Sequence, residues 1–218
     1  MKGLSVDQIR KLDKQAKGLG LEESLLIENA SSNLFELIKS LNLGQKVFVV
    51  AGRGNNGADV LSCARKLASR GFKVKIALLE DKPLGKEALR QKLILEKIDL
   101  PLFSITADSF DKLKQEAGLC DFVLEGILGV GVKGEVSPFL KEVITIVNQN
   151  SKRIVSCDIP SGLSPDQGFV LGTAIKADYT VTFIAPKKGF FLNQGPEYCG
   201  QVFVVDIGIS KEILEAVK

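Results

Sequence analysis

The sequence predicts an α/β fold with a doubly wound, mostly parallel sheet. Short apolar or β-branched runs alternate with helix-length segments from residue 46 onward. Several of these runs end in Gly-rich or acidic loops. The length, 218 residues, suits one domain of this class, and no linker, low-complexity tract or repeat divides it, so residues 1–218 read as a single domain.

Ser5 and Gln8 are spaced as a capping box ahead of Ile9, Leu12 and Ala16, and Gly18 and Gly20 end that helix. A second helix begins near Leu21 and is expected to bury Leu25, Leu26, Ala30, Leu34, Leu37 and Ile38 on one face. Residues 46–51 (KVFVVA) read as a buried strand, 58–70 as a helix closed by Gly71, and 73–79 as the next strand. A polar-faced helix at 86–98, a short strand at 102–105, a helix at 110–117 and a strand at 121–128 follow. Pro138 starts a helix to residue 150, because proline suits the first helical position. Strand 153–157 ends at Asp158-Ile159-Pro160-Ser161-Gly162. Strands 179–185 and 201–205 have no clear helix between them, and a short helix starts near Lys211.

Composition excludes several functions. The net charge is +3, with 29 basic and 26 acidic residues interspersed, so no basic stripe points to nucleic acid. Histidine is absent, which removes the commonest acid–base group and metal ligand. Cys63, Cys120, Cys157 and Cys199 form no C-x-x-C pair and are expected to be buried thiols in a reducing compartment. The N-terminus lacks an apolar signal region, and no run approaches the ~20 apolar residues of a membrane span, so a cytoplasmic location is expected.

Three loops after strands carry the candidate chemistry. Gly52-Arg53-Gly54-Asn55-Asn56-Gly57-Ala58-Asp59 leaves a strand and opens a helix, where backbone N–H groups favour an anion. Ala58-Asp59 stands where a P-loop has Lys-Ser/Thr, so an NTPase is not indicated, while the Asn55 and Asn56 oxygens suit a cation or ribose. Read blandly, the loop is a helix cap with turn asparagines. Gly129-Val130-Gly131-Val132-Lys133-Gly134 is formally G-x-G-x-x-G, but the following helix starts only at Pro138, unlike a dinucleotide fingerprint. It is expected to close over a nucleotide, with Lys133 near phosphate. Glu125, within the strand before it, should face a cation or polar site unless it lies at the strand's wet end. Asp158 ends a buried strand and points to the ligand crevice, or only caps its turn. Pro186-Lys187-Lys188-Gly189 either closes the site or is a solvated basic turn.

Taken in order, these motifs resemble the YjeF N-terminal-domain family, the NAD(P)HX epimerases. The resemblance rests on Ala51 to Asp59, Gly129 to Glu135, Asp158 to Leu163, Ala177 to Phe183, Tyr198-Cys199-Gly200 and Asp206 to Ile209, with Glu28-Asn29-Ala30 in the second helix. It implies a Rossmann-like three-layer α/β/α sandwich. It also implies interconversion of the R and S forms of NADH or NADPH hydrated on the nicotinamide ring, feeding a separate S-specific dehydratase. The substrate-binding residues it implies are Asn55, Asn56, Gly57, Ala58, Asp59, Gly129, Val130, Gly131, Val132, Lys133, Gly134, Glu135 and Asp158. One potassium ion per subunit is implied at Asn56, Glu125 and Ser161, and oxygen-only ligands suit such a hard cation. A homodimer is implied as well. Glu125 stands where the family usually has Asp, and Ala58 where it usually has Gly, adding a methyl where the backbone meets the ligand.

Inverting the hydrated carbon requires a planar species. Asp158 is expected to protonate the leaving hydroxyl, with Asp59 positioning substrate or sharing the proton. Competing readings are a non-catalytic scaffold, which would be expected to lose such polar residues first, and a hydride-transferring dehydrogenase.

Overall fold

The computed structural model describes residues 3–132 and 134–217. Seven strands form one sheet in the order β3-β2-β1-β4-β5-β6-β7, and every neighbouring pair is parallel. They are β1 (Lys46–Ala51), β2 (Lys73–Leu79), β3 (Leu102–Ile105), β4 (Phe122–Gly126), β5 (Ile154–Cys157), β6 (Tyr179–Phe183) and β7 (Gln201–Val205). The helices are α1 (Val6–Gly18), α2 (Glu23–Leu41), α3 (Asn55–Ser69), α4 (Lys86–Lys97), α5 (Phe110–Leu119), α6 (Pro138–Asn150), the single turn α7 (Gly195–Tyr198) and α8 (Lys211–Val217). Order reverses between β1 and β4, the switch point beside which ligands bind in such sheets.

Alternation along β1 builds the two core layers, since successive side chains point to opposite faces. Val47 and Val49 join Leu34 and Ile38 of α2, Leu61 and Leu67 of α3 and Leu95 of α4. Phe48 and Val50 join Leu113 of α5 and Val143 and Val147 of α6 on the other face. Helix α1 starts at the expected capping box of Ser5 and Gln8 and packs with Ile207 and Ile209 in a third cluster. The buried face of α2 differs from expectation: Leu25 is 51% exposed, while Ile27 and Phe35 take core positions. The helix begins two residues later than Leu21, and its buried stripe follows α3 rather than the sheet alone. No helix among the described residues is long and apolar enough to cross a membrane.

Close backbone approach fixes the ends of β1 and β4. Gly52 N donates to the Gly126 carbonyl at 2.9 Å, and a Cβ on Gly52 would fall on the Ile127 carbonyl oxygen. A Cβ on Gly57 would likewise fall on the Gly52 carbonyl. The glycines here serve contact rather than turn geometry. Gly52→Ala is therefore expected to lower stability by about 1–3 kcal/mol in denaturant titration, as overpacking does. Gly131→Ala, whose Cβ meets nothing within 4 Å, should leave the midpoint nearly unchanged.

Candidate active site

A cavity of about 600 Å³ opens over the carboxyl ends of β1, β4, β5 and β6. Its floor is made by the loops after those strands, and its roof by Leu12 and Asp13 of α1 and Leu26 and Ile27 of α2. The volume is that of a small-molecule site.

The first loop sends its residues to different places. Asn55 is exposed and its side-chain amide donates to Glu23. Asn56 is buried; its Nδ2 donates to the Leu128 carbonyl at 2.8 Å, while its Oδ1 has no partner among the described residues. Ala58 does not reach the cavity. Its methyl is fully buried against Ile27 and Ala88, so the added methyl faces the α2–α4 contact rather than the cavity. Asp59 lines the cavity, is 8% exposed, and meets no hydrogen-bond donor among the described residues. Burial pushes its carboxyl well above the usual Asp range, and the charge of Asp158 adds to this while Lys187 opposes it.

Glu125 lies inside β4 and is wholly buried, not at a wet end. Ser156 Oγ at 2.5 Å and Ser161 N at 3.1 Å donate to its Oε1. Ser161 Oγ at 2.5 Å and Ile127 N at 3.2 Å donate to its Oε2. Burial raises this carboxyl despite those four bonds, each of which pulls it down. Gly129, Val130, Gly131 and Val132 line the cavity next to Asn56. Gly134 and Glu135 do not; they are exposed, and Glu135 pairs with Lys141 at 3.1 Å. Lys133 lies outside the described residues.

Asp158 adopts φ +62° and lines the cavity. Its Oδ1 accepts hydrogen bonds from Thr182 Oγ1 and Phe183 N, each at 3.2 Å, and from the Lys187 ammonium. Lys187 is 2% exposed and also donates to Thr182 Oγ1 at 2.8 Å. The basic turn is thus divided: Lys188 is solvated, whereas Lys187 belongs to the site. Its burial comes from the N-terminal segment. Leu4 N donates to the Pro186 carbonyl at 2.9 Å and Lys188 N to the Leu4 carbonyl at 2.8 Å, so the segment lies beside Lys187 through one parallel bridge. Ile184, at the end of β6, has φ +69° and also lines the cavity. A β-branched residue there is strained, and such strain concentrates at functional sites. Asp13 and Arg53 line the cavity too and carry no sequence signal that separates them from surface charges. Burial pushes the Asp13 carboxyl up.

Asn56, Glu125 and Ser161 do come together, around the Leu128 backbone: Ser161 Oγ accepts from Leu128 N at 2.8 Å. The orphaned Asn56 Oδ1, the Leu128 carbonyl and Ser161 Oγ form an oxygen-only set beside the Glu125 carboxyl, which fits a hard monovalent cation. Among the described residues no group of three His, Cys, Asp or Glu offers a metal site of another kind. All four cysteines are free and buried, and burial pushes the thiols up, Cys120 to about 11 and Cys199 to about 12.

The sequence profile of the family described as YjeF-related protein N-terminus matches residues 23–189. A bifunctional NAD(P)H-hydrate repair enzyme of Thermofilum pendens is 35% identical over 99% of this chain, which spans 42% of that protein. The chain spans about two-fifths of the length of the first such relatives. An NAD(P)H-hydrate epimerase of Elusimicrobium minutum is 33% identical over 100% of both chains. The crystal structure of a yeast protein shares the fold, with TM-score 0.83 and 22% identity over 100% of this chain and 93% of that one.

Two outcomes follow from the geometry. Lys187→Met leaves Asp158 without its ammonium and should cost about 3–5 kcal/mol by denaturant titration at neutral pH, as breaking a buried pair does. Asp59 in the folded protein holds its proton to higher pH than in the unfolded chain. The stability it contributes is complete below the ordinary Asp range and is lost as pH rises through the raised value. Asp59→Asn should therefore gain in melting temperature relative to the parent protein as pH is raised from acid to alkaline. A difference that does not vary with pH would contradict this.

Proposed function

The chain belongs to the YjeF-related N-terminal family, and from that premise we propose that it is an NAD(P)HX epimerase, interconverting the R and S forms of hydrated NADH and NADPH. The observation that carries this reading is the convergence of Asp59 and the Asp158–Lys187 pair on one cavity at the switch point of a parallel sheet. Exposed backbone of the two glycine loops borders the same cavity and suits a phosphorylated ligand.

Asp158 carries proton chemistry at the hydrated carbon. The C–O bond breaks as the hydroxyl is protonated, the ring nitrogen's lone pair forms an iminium, and water adds to the other face. Ile184, Leu12, Leu26 and Ile27 offer the ring an apolar surface. Potassium would be held by Asn56, Ser161 and Glu125, and its charge would favour the anionic parts of the substrate. Lys133 stands in the loop that would approach the phosphates. A separate NAD(P)HX dehydratase would consume the S product, in keeping with the bifunctional relatives. Homodimer formation and a cytoplasmic location complete the proposal.

The test adds protein to R-NADHX in potassium buffer with an S-specific dehydratase and ATP, and follows NADH. Recovery faster than the spontaneous rate is expected; no acceleration by folded protein would leave the fold as a non-catalytic scaffold. Replacing potassium by a large organic cation should lower both rate and melting temperature. Asn56→Ala should abolish that dependence, and a potassium effect unchanged in Asn56→Ala would place the ion elsewhere.

A further inference from the structure

Epimerisation by loss and return of water needs a proton given on one face of the ring and taken on the other. A single carboxyl cannot begin the same passage both protonated and ionised. The cavity holds two whose surroundings are opposite. Asp158 Oδ1 is met by an ammonium, a hydroxyl and a backbone N–H. Asp59, one turn into α3, is more than nine-tenths buried, faces the same cavity and meets no donor among the described residues. A buried carboxylate left without partners is costly, and the ordinary escape is to keep the proton. We propose that Asp59 is the catalytic acid of this site and Asp158 the catalytic base, a division that rests on the epimerase reading above.

The charged and titratable groups facing Asp59 agree with that division. Burial, the largest influence, opposes its ionisation, as do Asp158 and Glu23 of α2, and Lys187 favours it. The thiols of Cys63 in α3 and Cys157 in β5 also lie within electrostatic reach. Two carboxyls in such unlike surroundings suit the separate roles of acid and base.

The step balances. The Asp59 carboxyl gives its proton to the leaving hydroxyl, and the C–O bonding pair departs with the oxygen as water. The ring nitrogen's lone pair forms the C=N⁺ bond. A water bonds to the opposite face, returns that pair to nitrogen and gives a proton to Asp158. One proton has moved from Asp59 to Asp158, and it returns through solvent or by passage in the reverse direction with roles exchanged.

The experiment measures kcat and KM for R-NADHX in the coupled assay, across pH, for the unsubstituted protein and Asp59→Asn. An inactive unsubstituted protein would sink the epimerase reading itself. If it is active, Asp59→Asn should lose ~10²–10⁴-fold in kcat with KM little changed. The alkaline fall of the parent's kcat, at a pH far above the ordinary Asp range, should be missing in the variant. Infrared spectra of the parent at neutral pH should show a protonated carboxyl band that Asp59→Asn removes. A variant that keeps kcat and raises KM would make Asp59 a binding residue and overturn the proposal. Should the variant fail to fold, a parent rate with no alkaline fall overturns it equally.

Discussion

One wholly buried carboxylate, Glu125, sets the geometry on which the candidate site depends. It accepts hydrogen bonds from Ser156 on β5, from the Ser161 backbone and hydroxyl, and from Ile127 just past its own strand. The end of β4 is thereby tied to the turn after β5. That tie fixes Asp158 at the start of the turn and Leu128 at the start of the second glycine loop. Leu128 in turn receives Asn56 from the first loop. Three loops, far apart in sequence, are held in one register by a group that no solvent reaches. A buried acid is tolerated here because each of its oxygens is met by two donors.

Two unmatched polar groups stand at the cavity. Asn56 Oδ1 has no partner and Asp59 has no donor. Asp158 and Ile184 hold left-handed backbone at the ends of neighbouring strands. The two hydrophobic layers, continuous on either side of the sheet, offset this local cost. Sites that break local rules inside an otherwise consistent fold are where function is expected.

The fold was legible because its signal is short-range. Val47-Phe48-Val49-Val50 alternates between two covered faces, and Ser5 with Gln8 announces a helix within one turn. The two glycine loops and Asp158 were legible for the same reason, each directly following a strand. Other features were hidden because distant contacts decide them. Lys187 looks like its neighbour Lys188 until the N-terminal segment docks beside it. The methyl of Ala58 points into a helix–helix contact that no loop pattern reveals. Leu25 follows the apolar spacing of α2 yet faces out, since Ile27 meets Ala58 in its place. The unlike surroundings of Asp59 and Asp158 come from Thr182 and Lys187, contributed by a later strand and its turn.

In the proposed chemistry, water leaves and returns at a hydrated nicotinamide ring held in this cavity. The most direct test follows the separated R and S substrates by proton NMR in water enriched in the heavy oxygen isotope, with the product hydroxyl analysed by mass spectrometry. Loss and return of water predicts enzyme-dependent interconversion with incorporation of the heavy isotope at the inverted carbon. Interconversion that retains the original oxygen would mean the ring opens and recloses instead, and would contradict it.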